Sequence, residues 1–374
     1  MKVLIATPLY PPDDGGPATY ARALETALPS KGVIVSLLSF SKFRHYPKIV
    51  SHLRYTFALW KLAKDVDIIY TLDLVSAGVP ACIVSKLTGK PLVLKMVGDY
   101  AWEQGTQRAG VKENLDEFVQ KKSGYGWKVW LFRKLQTAVA KHSVKVITPS
   151  YYLKGIVCAW GIDPDKIVVV YNSFKANLPK EEKKALREEF GMERPTIISV
   201  GRFVPWKGFK VLMDVVAEVQ KDIPEVVLEI AGSGDDSEYV AYANKHQYNF
   251  VKFLGLVKHD TLMKRIRAAD CFALNTGYEG LSHLLLEAMA LETPVVTTSV
   301  GGNTELFEAS EQVSERGVLT DYNDNAALIR GLTLVLTDKK TAQHMAKEAA
   351  SFVSSFTEQR MITDIVTELK QVVS

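Results

Sequence analysis

The chain has 374 residues, 47% hydrophobic and 24% charged, which is enough for two domains with their own cores and excludes a disordered or fibrous protein. Its formal charge of +4 conceals a split: residues 1–176 hold 24 Lys and Arg against 13 Asp and Glu, residues 177–374 hold 22 against 29, so the first half is expected to face something anionic. Cys82, Cys158 and Cys271 are too scattered for a disulfide or metal set, which points to a reducing, cytoplasmic setting, and no apolar run reaches the roughly 18 residues that span a bilayer.

Met1 to Pro8 has too short an apolar run for a signal peptide and reads as a first strand. Strand-length runs follow at Val33–Leu38, Ile68–Thr71, Pro91–Lys95, Val144–Ile147 and Ile167–Val170, separated by segments of helical period. That rhythm predicts a parallel, doubly wound α/β sheet. The first loop, Pro8 to Pro17, is stiffened by prolines, and Gly15-Gly16 allows close backbone approach before a helix that opens at Pro17. It lacks the Gly-x-Gly-x-x-Gly dinucleotide fingerprint, which argues against a dehydrogenase. At the exit of the fourth strand stand Val97, Asp99, Tyr100, Trp102 and Glu103; Asp99 either caps a turn or meets a substrate hydroxyl.

Residues 121–145 hold Lys121, Lys122, Lys128, Arg133, Lys134, Lys141 and Lys145 with no acid, interleaved with Trp127, Trp130 and Phe132 on a helix expected from about Trp127. Lys121, Lys122, Lys128, Trp130, Arg133 and Lys134 form a candidate patch for an anionic membrane surface, with a solvated helix face as the plain alternative. A pyrophosphate-linked lipid or an anionic glycan would suit the same charges. No nucleic-acid-binding module accompanies them. Asp65-x-Asp67 and Asp163-Pro164-Asp165 match a metal-binding spelling but lead into strands, so they read as turn and cap residues, and no metal is expected.

A boundary near 172–182 opens a second series of strands at Thr196–Val200, Val226–Ala231, Phe250–Leu254, Cys271–Asn275 and Pro294–Thr298. The predicted domains are 1–176, 177–355, and a closing helix, 356–374. Between the first of these strands and its helix lies Gly201-Arg202-Phe203-Val204-Pro205-Trp206-Lys207-Gly208, with a forked and a point-like cation at a sheet's carboxyl edge, where open α/β sheets bind ligands. Further on, Gly277-Tyr278-Glu279-Gly280-Leu281-Ser282 leads into an apolar helix holding His283 and Glu287. A helix opening near Ser282 points backbone N–H groups at that loop, which suits a phosphate, with Glu287 placed for ribose hydroxyls and Glu279 for a sugar. Gly232-Ser233-Gly234 follows another strand and reads either as a close approach to a nucleotide or as a simple turn, and Gly301-Gly302-Asn303-Thr304-Glu305 follows the strand Pro294–Thr298.

With a Gly-Arg-x4-Lys-Gly loop and a Glu-x7-Glu element in this order, the chain resembles the GT-B nucleotide-sugar glycosyltransferases of the family-4 type. The resemblance runs from the Pro-Pro-x-x-Gly-Gly loop to the last helix and implies two facing Rossmann-like domains with the reaction in the cleft. It implies a nucleoside diphosphate sugar, UDP- or GDP-linked, held by the second domain: Arg202 and Lys207 on the diphosphate, Glu279 on the hexose, Glu287 on the ribose, and Gly16, Gly201, Gly280, Leu281 and Ser282 around the donor. The Gly301-Gly302-Asn303-Thr304-Glu305 loop resembles the family's Gly-Gly-x-x-Glu loop, which implies backbone amides for a phosphate. Asp99 would join in catalysis and Tyr100, Trp102 and Glu103 in binding a sugar or lipid-linked sugar acceptor. It further implies a retaining hexosyl transfer in glycan, polysaccharide or glycolipid synthesis, without metal or cofactor, in the cytoplasm or on the membrane's cytoplasmic face. Val97 stands where many relatives carry a histidine, which leaves a noncatalytic sugar-nucleotide-binding protein as one alternative; a nucleotide-sugar epimerase, with the same architecture and no acceptor, is the other.

Overall fold

The computed structural model describes residues 1–13, 15–121, 123–174, 178–307 and 313–373. It divides into two units, Met1–Asn172 with Glu358–Ser374, and Ser173–Thr357. The first boundary lies four residues before the predicted one, and Ser173 belongs to the second unit because its carbonyl holds the His283 ring nitrogen Nδ1 at 3.1 Å. The second lies two residues after: Phe356 stays with the second unit, its ring 5.5 Å from Phe352.

The first unit carries strands β1 (Lys2–Thr7), β2 (Ile34–Ser39), β3 (Ile68–Thr71), β4 (Leu92–Lys95), β5 (Lys145–Thr148) and β6 (Ile167–Val169). They pair in the order β2-β1-β3-β4-β5-β6, all parallel. Helices α1 (Gly16–Ala27), α2 (Lys48–Ala63), α3 (Gly78–Thr88), α4 (Tyr100–Arg108), α5 (Leu115–Gln120), α6 (Trp127–His142) and α7 (Tyr151–Ala159) connect them. Strands buried on both faces read as continuous apolar runs, as Val3 to Ala6 does.

The second unit holds α8 (Lys183–Phe190), β7 (Thr196–Val200), α9 (Phe209–Val219), β8 (Val227–Ala231), α10 (Ser237–Lys245), β9 (Val251–Gly255) and α11 (His259–Ala268). It continues through β10 (Cys271–Leu274), α12 (His283–Ala290), β11 (Val295–Thr298), β12 (Val313–Ser314), β13 (Gly317–Thr320), α13 (Asn325–Thr337) and α14 (Lys339–Val353). The strand order is β12-β13-β11-β10-β7-β8-β9, parallel except for the β12–β13 edge pair, which the sequence reading did not contain. The core joins Phe209, Leu212 and Val216 of α9 to Ile197, Leu228 and Ile230 of the sheet. The last helix, α15 (Glu358–Val373), completes the other unit: Met361, Ile362, Ile365 and Leu369 lie in one core with Val3, Ile68 and Val93. Lys145 fixes it further, donating to Gln371 Oε1 at 2.7 Å and ion-pairing with Glu368. Among the described residues no helix is long and apolar enough to cross a membrane.

Candidate functional site

In the second unit the loops after β7 and β10 are stitched together. The Gly277 and Thr276 side of the β10 exit donates to the Trp206 carbonyl, from the Gly277 amide at 2.7 Å and the Thr276 hydroxyl at 3.3 Å. Asn275 Nδ2 donates to the Gly208 carbonyl at 3.1 Å. Gly208 has φ +56°, and a Cβ there would stand 2.5 Å from Asn275, so a side chain would part the two loops. This stitching sets the Lys207 ammonium against the Glu279 carboxylate, an ion pair between residues 72 apart in sequence. Both side chains are largely buried, so removing either leaves an uncompensated charge at a cost of about 3–5 kcal/mol. Arg202, on the same loop, is exposed, with its guanidinium 6.0 Å from the Trp206 ring centre.

Ser282 caps α12, its hydroxyl accepting from the Leu285 amide at 3.3 Å, while Asn303 Oδ1 accepts from the Ser282 amide at 3.4 Å. The first turn of α12 thus follows directly on Gly280 and Leu281, so the positive end of its dipole lies next in the chain to the Glu279 segment. Glu287, one turn in and 7% exposed, meets His259 Nε2 at 2.8 Å. His259 opens α11 and was not singled out in the sequence: a lone His before Asp260 carries no spacing signal. The Gly301 loop braces the Glu279 segment, because the Gly302 amide donates to the Glu279 carbonyl at 3.0 Å and is so withdrawn from any ligand. A Cβ on Gly301, where φ is +60°, would fall 2.0 Å from that same carbonyl. Gly232 is likewise a packing glycine, its missing Cβ 1.8 Å from the Gly201 carbonyl, and the Ser233 carbonyl accepts from the Phe203 amide at 2.9 Å.

In the first unit, Gly16 begins α1 behind Gly15, whose φ of +128° only glycine adopts readily, and a Cβ on Gly16 would meet nothing within 4 Å. The strand-exit residues need correction. Asp99 is 1% exposed and is the N-cap of α4, accepting from the Trp102 amide at 2.9 Å; burial raises its pKa. Only Oδ1 serves the cap, while Oδ2 is enclosed without a hydrogen-bond partner among the described residues, so burial and not exposure to a ligand is what the structure gives this carboxylate. Trp102 is buried too, its indole N–H donating to the Glu113 carbonyl at 2.9 Å, so it is core rather than a stacking platform. Tyr100 and Glu103 remain partly exposed, with the Tyr100 ring edge-on to Phe132 at 5.3 Å. Val97 is 46% exposed at the β4 exit.

Two family models tile the chain: residues 15–173 match the glycosyl transferase 4-like domain and residues 180–352 the glycosyl transferases group 1. The chain belongs to the family-4 GT-B glycosyltransferases. It is similar to an uncharacterized glycosyltransferase of Methanocaldococcus jannaschii, 37% identical over 177 residues, 44% of this chain and 45% of that protein. It thus spans less than half the length of the first curated relatives it matches. A longer match, 26% identical over 310 residues, covers 80% of this chain and 74% of a UDP-Gal:alpha-D-GlcNAc-diphosphoundecaprenol alpha-1,3-galactosyltransferase of Escherichia coli. The fold is shared with Anabaena HepE, solved in complex with UDP and glucose: TM-score 0.76 at 21% identity, over 99% of this chain and 100% of that one.

For this glycosyltransferase-family chain, the basic patch of the first unit resolves into two kinds of cation. Arg133 is structural: its guanidinium lies 3.7 Å from the Phe118 ring centre, donates to the Lys121 carbonyl at 2.8 Å and to the Phe118 carbonyl, and loses basicity through burial. Lys121 pairs with Glu113. Arg133 therefore ties the end of α5 to α6 instead of facing outward as the sequence reading placed it, whereas Lys121 stays exposed beside its partner. Lys128, Trp130 and Lys134 are exposed, with the Lys134 ammonium 5.8 Å from the Trp130 ring centre, and Lys122 lies outside the described residues. Asp163 accepts from the Asp165 amide at 3.0 Å, the cap role expected of it, whereas Asp67 accepts from the Lys2 amide at 2.7 Å and ties the start of β3 to that of β1. Among the described residues no three His, Cys, Asp or Glu side chains converge as a metal set. His283 turns its ring to the Ser173 carbonyl.

Proposed function

We propose that this chain transfers a hexosyl group from a nucleoside diphosphate sugar to an acceptor hydroxyl with retention of anomeric configuration, in polysaccharide or glycolipid synthesis. The observation that carries the reading is the buried Lys207–Glu279 pair at the carboxyl edge of β7 and β10, beside the N-terminus of α12. Lys207 and Arg202 neutralise the diphosphate as it departs, and the α12 dipole adds to them; one such preorganised donor is worth about 3–4 kcal/mol in the transition state. With that positive charge supplied by side chains and a helix end, the reading places no metal and no further cofactor in the site. Glu279 meets the transferred sugar while Lys207 holds its carboxylate in place. Glu287, aligned by His259, accepts from the ribose hydroxyls.

The anomeric C–O bond to the diphosphate breaks as a bond from the acceptor oxygen forms. Val97 is aliphatic and Asp99 is committed to its cap, so the acceptor's proton is assigned to the departing diphosphate oxygen. UDP sugars are the donors to try first, since the names of the Anabaena structure and the Escherichia coli relative both contain UDP. The latter supports a lipid-linked sugar as acceptor class.

A thermal-shift panel of UDP, GDP, ADP and dTDP with their hexose conjugates, followed by a transfer assay with the nucleotide that binds, tests the reading. A ligand at about 100 times its dissociation constant adds roughly 2.7 kcal/mol of stability. One nucleotide should shift the melt, and Glu287→Ala should lose the shift with its fold unchanged. A shift that survives Glu287→Ala refutes the donor site, and binding without transfer to any acceptor leaves a noncatalytic sugar-nucleotide-binding protein.

A further inference from the structure

Helices α2, α3 and α6 lie side by side on the first unit, α2 against α3 and α3 against α6, with Ser85 Oγ of α3 2.9 Å from His142 Nε2 of α6. None of the three contains an Asp or Glu. On α2 the residues Ser51, Tyr55, Leu59 and Ala63 are buried, and the opposite face presents Ile49, Leu53 and Phe57 at intervals of four, with Ile49 76% exposed. The neighbouring α3 exposes Ile83 and Leu87, the latter by 69%, and α6 exposes Trp127 by 70% together with Trp130 and Leu131. Of the large exposed hydrophobics in the described residues, only Leu256 and Val313 belong to the second unit. The apolar residues are bordered by cations: the Lys61 ammonium lies 4.6 Å from the Phe57 ring centre and the Lys64 ammonium 4.0 Å from that of Trp60.

We propose that the α2–α3–α6 face is a docking surface for an anionic lipid bilayer, with α2 as its principal inserting element and α6 as the second. Apolar side chains outward on three adjacent helices enter the headgroup boundary, while the Lys and Arg of these acid-free helices meet lipid phosphates. The charge selects this occupant over a second copy of the chain. An isologous pairing would set two faces of the same sign against one another, with no carboxylate on any of the three helices to offset them. The inference goes beyond the transfer reading and stands without it, since docking is read in the absence of any sugar nucleotide.

The test is flotation of the full chain with vesicles of phosphatidylcholine alone and of an equimolar mixture with phosphatidylglycerol. The chain should float with the mixed vesicles, not with the neutral ones, and less so as salt is raised. Leu53→Glu combined with Phe57→Glu should lower the partition coefficient by at least about tenfold, because two outward apolar groups become anions at the lipid boundary. Both sites point to solvent, so the melting temperature should hold. Should that variant misfold, Lys61→Glu combined with Lys64→Glu must lower binding by itself. Absence of flotation, or either folded variant floating like the parent, overturns the proposal. A concentration-dependent dimer that the Leu53/Phe57 variant abolishes, with no flotation, assigns the face to a second copy and overturns it equally.

Discussion

The carboxyl ends of the two sheets treat their charged residues in opposite ways. In the second unit, Lys207 and Glu279 follow different strands and cross to one another as a largely buried pair, on a loop whose Arg202 is exposed. In the first, the fourth strand ends on Lys95, which is buried and donates to the Val170 carbonyl at 3.2 Å, and continues to Asp99, which is buried as a helix cap. Both stretches look alike in a sequence: a strand, then cations, acids and aromatics. What separates them is whether the charge has a partner brought from another loop or has been taken into the fold's own supports. A charge at a strand exit is evidence for a ligand only when a second segment, remote in sequence, is tied to the first.

The comparison breaks most visibly at Lys207. Lys207→Ala should lower kcat/KM by about a hundredfold to a thousandfold, because the diphosphate loses a fixed cation and Glu279 its partner. Steady-state kinetics with the donor identified by thermal shift measures this, and a loss under about tenfold would mean that the pair only stabilises the loop. In the first unit the effect should be on stability. Burial lowers the Lys95 pKa from 10.5 to about 7. Between those two values the unfolded amine keeps a proton that the folded one has released, so the unfolded state binds more protons and stability rises with pH. The slope contributed is at most about 1.4 kcal/mol per pH unit. Lys95→Met should lack that component, which denaturant titrations at pH 7 and pH 9.5 compare directly; identical slopes would remove Lys95 from the account. The smallest effect belongs to Asp99→Asn. Asparagine caps a helix about as well as aspartate, so turnover and melting temperature should both stay close to the parent's, within roughly 0.5 kcal/mol. A loss of turnover with the melt unchanged would restore Asp99 as a catalytic residue and erase the contrast.

The parallel sheets were legible because doubly buried strands are written as short apolar runs: all six strands of the first unit and five of the second stand within a residue or two of their predicted places. The β12–β13 edge was not, since Glu315 and Arg316 interrupt a strand pair whose shorter member has two residues. The loops of the candidate site were found, but Lys207 and Glu279 were assigned to separate parts of a ligand, and their mutual pairing exists only in three dimensions. The same holds for His259 and Glu287, which no periodicity connects. Along α6 the lysines and tryptophans cluster in the chain and drew notice. On α2 the apolar residues are spread one per turn, and their common face emerges only when Ser51, Tyr55 and Leu59 are seen to be buried.

Because α15 closes the core of the first unit, the order of synthesis and the order of folding part company. The second unit is one continuous stretch, Ser173–Thr357, and has every residue it needs once that stretch has left the ribosome. The first unit is begun earlier and finished later: the side of its sheet that Met361, Ile362, Ile365 and Leu369 cover stays open through translation of all that intervenes. A nascent chain paused before residue 358 therefore carries a finished second unit and an unsealed first one, with the apolar surface around Val3, Ile68 and Val93 as the place where a chaperone would bind.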